Sequence, residues 1–186
     1  GNTESDMKSK VHIDHSSINH NTSGNRGGGI SSYAYTLGSA GPSSDHDSLE
    51  VIIESSEVIG NTSYQEGGGI RSHSYNSIHT ISNSIISDNE SLNSYGGGIS
   101  STPRHGAEVG SFHPSFSKIT IDNSTISANS AYGHGAGIYS SMYYYSTSIY
   151  HVYSIVNVSN SKIFGNISTN WGDGGGIYSH ARFSTV

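Results

Sequence analysis

Along the chain, Ile and Val recur in short alternating pairs set between polar residues. Val11-x-Ile13, Val51-x-Ile53, Ile119-x-Ile121 and Val156-x-Val158 each put two β-branched residues on one side of an extended strand. His79-x-Ile81 fits the same frame. A polar doublet follows each pair, then one more apolar residue: Ile18, Val58, Ile86, Ile126 and Ile163. Three positions later stands an Asn in every case: Asn21, Asn61, Asn89, Asn129 and Asn166. Six to eight residues beyond each Asn comes a glycine tag. The tags are Gly27-Gly28-Gly29-Ile30, Gly67-Gly68-Gly69-Ile70, Gly96-Gly97-Gly98-Ile99 and Gly174-Gly175-Gly176-Ile177, with Gly135-Ala136-Gly137-Ile138 as a variant.

These positions define a unit, [IV]-x-[IV]-x-[NSH]-S-x-[IV]-x-x-N, a short spacer, then G-G-G-I. Its invariant Ser is Ser16, Ser56, Ser84, Ser124 and Ser161. The first pair predicts a strand, the polar doublet a turn, and the single Ile or Val a second short strand. The tag Ile points inward on a third. Wound and stacked, three short strands per turn make a parallel β-helix of about five coils. Like residues then lie on like at the strand spacing of about 4.8 Å. The Asn column is expected to form a structural ladder, satisfying turn backbone or stacking on its counterparts. The glycines allow close approach between layers.

The Asn-to-Asn steps are 40, 28, 40 and 37 residues, more than a coil needs. The excess is expected to leave as loops over about 31–48, 71–77, 100–117 and 139–153, all on one side of the rod. The chain reads as one domain, 1–186, of five repeats at about 11–48, 49–77, 78–116, 117–153 and 154–186.

Composition sharpens this picture. There are 21 Ile and 8 Val against 3 Leu, which suits strands rather than helices or a flexible Gly/Ser linker. A net charge of −6 argues against a nucleic-acid footprint. No apolar run approaches the roughly 18 residues of a membrane span. With no Cys, disulfides, a thiol nucleophile and a Cys-ligated zinc site are excluded. No cofactor motif is found: the glycine tags lack the GK[ST] of a phosphate loop.

The pairing of [IV]-x-x-N with GGGI resembles the repeats of chlamydial polymorphic outer-membrane proteins, over about residues 11–180. That family carries GG[AG]I and often Phe where this chain prefers Ile or Val. The resemblance implies a right-handed parallel β-helix of a secreted or surface protein. The family spans adhesins and autotransporter passengers, so it implies no single activity.

Candidate chemistry is sparse. Asn21, Asn61, Asn89, Asn123, Asn157 and Asn166 begin N-x-[ST] sequons, a number near chance for this composition. Four of them coincide with the repeat Asn, which is expected to be structural. The column Asp14, Glu54, Ser82, Asp122 and Ser159 is expected to face outward. Paired carboxylates there suit glycosidic chemistry or weak Ca²⁺ binding. Ser82 interrupts the column, and a solvated face is the plainer reading. The 11 His show no ligand spacing and read as surface polarity with no metal site. Tyr143, Tyr144, Tyr145 and Tyr150 cluster in the fourth loop. They are candidates for glycan or protein contact, or for packing on their own rod.

The absence of a starting Met and of a leader suggests a processed chain or a fragment of a longer array. Joining Val186 to Gly1 on paper puts Val11 20 residues after Ile177, the spacing of Ile99 to Ile119. The leading expectation is therefore a structural subunit of an extracellular or cell-surface filament, self-associating end to end. The alternatives are a surface adhesin or glycan-binding module and, behind it, a polysaccharide-active enzyme.

Overall fold

In a computed structural model the described residues are 8–34, 47–103, 115–142 and 152–181. They contain strands and turns and no helix. The chain winds through rungs of four strands each. Rung 1 holds β1 (Lys8–Asp14), β2 (Ser17–Asn19), β3 (Thr22–Ser23) and β4 (Ile30–Tyr33). Rung 2 holds β5 (Ser48–Glu54), β6 (Glu57–Ile59), β7 (Thr62–Ser63) and β8 (Ile70–His73). Rung 3 holds β9 (Asn76–Ser82), β10 (Ile85–Ser87), β11 (Glu90–Ser91) and β12 (Ile99–Ser101). Rung 4 holds β13 (Ser115–Asp122), β14 (Thr125–Ser127), β15 (Ser130–Ala131) and β16 (Ile138–Met142). Rung 5 holds β17 (Val152–Ser159), β18 (Lys162–Phe164), β19 (Ile167–Ser168) and β20 (Ile177–Ala181).

Equivalent strands pair in parallel, giving four five-stranded sheets in rung order. From β1 to β17 the chain makes four full turns, and β18–β20 carry a fifth rung. The architecture is the parallel β-solenoid that the repeats predict. One detail differs: each turn uses four strands, not three. The fourth is the two-residue strand after each Asn, too short to show a period in the sequence.

The core is a set of axial columns. Ile13, Ile53, Ile81, Ile121 and Val158 align in the first sheet. Ile18, Val58, Ile86, Ile126 and Ile163 align in the second. Ile30, Ile70, Ile99, Ile138 and Ile177 align in the fourth. In rungs 2–4 these side chains are fully buried. Each contributes about 1.5–3 kcal/mol relative to exposure.

Two turn columns need a left-handed residue. His15, Ser55, Asn83, Asn123 and Asn160 hold φ between +44° and +50°. His20, Gly60, Asp88, Ala128 and Gly165 hold φ between +53° and +66°. Asn, Asp and Gly tolerate this region, which explains the polar bias of the doublets.

Rungs 2 and 3 are joined tightly, with only Ser74 and Tyr75 between β8 and β9. Residues 35–46, 104–114 and 143–151 lie outside the described residues. Each belongs to a connection from the fourth strand of one rung to the first strand of the next. Tyr143, Tyr144, Tyr145 and Tyr150 fall there. Among the described residues no helix is long and apolar enough to cross a membrane.

Candidate functional site

The repeat Asn residues form a continuous ladder. The amide N–H and Nδ2 of Asn61 both donate to Asn89 Oδ1, each at 3.0 Å. Asn89 does the same to Asn129 Oδ1, and Asn129 to Asn166 Oδ1 at 3.1 and 2.9 Å. Asn21 opens the series on Asn61 Oδ1 at 2.9 Å. The second Nδ2 hydrogen reaches back one rung, from Asn89 to the carbonyl of Val58 at 2.8 Å and from Asn129 to that of Ile86 at 3.0 Å. Every polar side-chain atom of the buried ladder amides Asn61, Asn89 and Asn129 is thus matched, as burial requires. The invariant Ser makes a second ladder. Ser56 N–H donates to Ser84 Oγ at 3.1 Å, and Ser84 Oγ donates to the Ser82 carbonyl at 2.6 Å.

The glycine tags serve the same stacking. The first glycine of each tag has positive φ, +71° at Gly67. The third lies beside the Asn of the next rung, so that a Cβ on Gly98 would stand 3.1 Å from Asn129 Cγ.

A third polar column lies outside the repeat unit of the sequence. Two residues after each tag Ile stand Ser32, Ser72, Ser101, Ser140 and Ser179. They face the first sheet across the corner, where Ser77, Ser117 and Ser154 align. Ser117 Oγ bonds Ser101 Oγ and Ser140 Oγ, each at 2.7 Å, and Ser154 Oγ bonds Ser140 Oγ and Ser179 Oγ at the same distance. The five-for-five recurrence of Ser was a readable signal. High Ser content throughout the chain hid it.

His79 departs from the surface role assigned to the histidines. It sits in the inward column Val11, Val51, His79, Ile119 and Val156. It is fully buried, and neither ring nitrogen has a hydrogen-bond partner. Burial pushes its pKa down to about 4. The other expected outward histidines behave differently: His12 Nε2 meets Glu54 Oε2 at 2.9 Å on the exposed face.

On the outer face of the fourth sheet, rings stack along the axis. Tyr95 and Tyr139 are 4.7 Å apart, Tyr139 and Tyr178 5.5 Å, and His134 and Tyr178 4.6 Å. Tyr139 is buried, and burial raises its hydroxyl pKa to about 12. One rung pair away, the buried Arg71 donates from Nε to Glu66 Oε2 at 3.1 Å, and Arg26 Nε stands 3.6 Å from the same oxygen.

The sequons divide sharply. Asn61 and Asn89 are fully buried with Nδ2 engaged in the ladder, so a glycan on either is incompatible with this coil. Asn21 and Asn166 use Nδ2 in the same ladder at the first and last rungs. Asn123 and Asn157 are exposed, and Asn123 Nδ2 donates to Asn83 Oδ1 at 2.6 Å on the surface.

In the acidic column, Asp14 pairs with His15 at 2.7 Å and Glu54 with His12. Asp122 accepts from Ser159 Oγ at 2.7 Å and Asn160 Nδ2 at 2.9 Å, which hold its carboxyl below the usual range. A carboxylate kept ionised is the opposite of what a general acid requires. Among the described residues, no three His, Asp or Glu are placed to hold a metal ion.

Comparison with family models, curated proteins and solved structures gives no match.

Proposed function

We propose that this chain is a structural rod that extends by rung-on-rung stacking, as the subunit of an extracellular or cell-surface filament. The polarity of the asparagine ladder carries this reading. Each Asn donates to the Oδ1 of the rung that follows, so the rung 5 face offers a donor N–H at Asn166 and the rung 1 face an acceptor Oδ1 at Asn21. The rung 5 face also leaves Val158 40% and Ile177 38% exposed, where Ile121 and Ile138 in the same columns are fully buried. A further rung of the same kind satisfies both. Contacts of this head-to-tail type do not close and give filaments. Glycans attached at the exposed Asn123 and Asn157 would decorate the flank. The repeat's resemblance to secreted β-helix proteins favours a surface location.

The test is electron microscopy and sedimentation of the full 186-residue chain across a concentration series. Rods with an axial repeat of about 24 Å, five strand spacings, are expected. Monomers at every concentration overturn the reading.

A second reading, an adhesin or glycan-binding module, is favoured by one observation. The three long connections all leave the corner between the fourth and first sheets. Such a corner is where repeat rods commonly carry binding loops. Loss of glycan binding on replacing Tyr143–Tyr145 by Ser would support it.

A further inference from the structure

We infer that copies join in one register, rung 5 of one copy on rung 1 of the next, locked by Asp173 against Arg26. The inference rests on the filament reading and specifies its joint. The residues just before the five glycine tags, Arg26, Glu66, Tyr95, His134 and Asp173, form an axial column. Backbone hydrogen bonds define it: Gly27 N–H to the Glu66 carbonyl, Gly67 to Tyr95, Gly96 to His134 and Gly135 to Asp173, at 3.0 to 3.2 Å. Side chains in this column pair along the axis. Arg26 meets Glu66 at 3.6 Å, the Tyr95 and His134 rings stack at 5.4 Å, and the Asp173 N–H donates to His134 Nδ1 at 2.8 Å.

Continuing the column across a joint puts the Asp173 carboxylate over the Arg26 guanidinium. This repeats the acid–base step that Arg26 makes with Glu66. Both groups are accessible, with 83% of the Asp173 side chain and 44% of the Arg26 side chain exposed, and Arg26 Nε already donates to Gln65 Oε1 at 2.9 Å. Glu66 lies nearer Arg71 than Arg26, which leaves Arg26 the looser partner of the pair.

Two further columns agree on the same register. His180 lies in the column of Tyr33, so the joint stacks His180 on Tyr33 as Tyr33 already stacks on His73 at 5.3 Å. Asn166 meets Asn21, extending the ladder without a break. Rotating one copy about the axis destroys all three matches, because the four strands of a rung differ in length. Opposite charge at the joint speeds encounter and rejects other alignments.

The experiment is charge reversal in the full chain, with sedimentation and electron microscopy as readouts and melting curves to confirm folding. Asp173→Arg alone and Arg26→Asp alone should each raise the concentration needed for assembly at least tenfold. An equimolar mixture of the two variants should assemble, because every joint then pairs opposite charges. The double variant should assemble by itself. As a check independent of charge, the chain lacks Cys. A chain carrying Asp173→Cys and Arg26→Cys should therefore give a ladder of disulfide-linked oligomers on oxidation, and each single variant no more than dimers. Wild-type rods unaffected by charge reversal and without the disulfide ladder overturn this register while the filament reading stands. No rods from the wild-type chain remove both.

Discussion

A Cβ on Gly69 would stand 3.0 Å from Cγ of Asn89, which lies in the following rung. The same spacing recurs between Gly29 and Asn61 and between Gly137 and Asn166. The two signatures of the repeat, separated in sequence, are therefore one device. The bare glycine of one rung makes the slot that the ladder amide of the next rung fills. This is why the Asn and the third glycine occur together in every unit.

Gly69→Ala is expected to destabilise the chain by about 1–3 kcal/mol, the cost of overpacking a tight core. The added Cβ also meets the Gly98 carbonyl oxygen at 2.7 Å, and backbone cannot step aside cheaply. Gly24, with nothing within 4 Å, is the control. Gly24→Ala should change stability by less than about 0.5 kcal/mol. Urea unfolding monitored by circular dichroism separates the two.

Asn89→Leu keeps the volume and removes the ladder bonds. It strands the Asn61 N–H and takes one bond each from Asn61 Nδ2 and from the Val58 carbonyl, which stays in the ladder of its strand. One buried orphan donor predicts a loss of about 1–3 kcal/mol. Ile121→Asp, which puts a charge in a fully buried column, should cost more. Variants that melt with the parent would show that neither column carries the stability assigned to it.

Stability should depend on pH through His79. Its pKa is about 4 in the folded chain against an ordinary 6.5. Between these values the unfolded state binds the proton and the folded state does not. Stability is then full above pH 6.5 and falls as the pH drops toward 4, by about 3 kcal/mol in all. The informative quantity is the difference between parent and variant, since the rest of the chain is common to both. His79→Ile, matching Ile119 below it, should flatten the parent's curve over this window. Chemical unfolding at a series of pH values reads it.

Ala128 holds φ at +53° in an exposed turn where other rungs place Gly60 and Gly165. Ala128→Gly should stabilise by about 1 kcal/mol, since the left-handed region costs a Cβ roughly 1–2 kcal/mol and the added chain entropy offsets part of the gain. A rise in melting temperature is the expected readout. An unchanged or lower value would mean the turn is relaxed as it stands.

Much of the fold was legible because a solenoid stacks identical positions. Val11 and Ile13 announce a strand face, and the fixed distance to Asn21 repeats in all five units, so local pattern and long-range contact carry the same information. The two-residue strands such as Thr22–Ser23 escaped notice, being too short to show any period. His79 was misjudged for a different reason. Its chemistry suggested the surface, whereas its position in the [IV] column pointed to the core. Position prevails, because register fixes which face a strand residue takes.

Sequence alone determined the repeat, the parallel stacking, the Asn and Ser columns and the corner from which the connections leave. Each follows from periodicity, which needs no coordinates to read. Only the tertiary structure decided which partner each buried group finds. It placed Asn89 Nδ2 on the Val58 carbonyl, joined Ser101, Ser117 and Ser140 across a corner, and buried Tyr139 among outer rings. Such pairings depend on the closure of the coil, which brings together residues from different strands at distances that no linear spacing encodes.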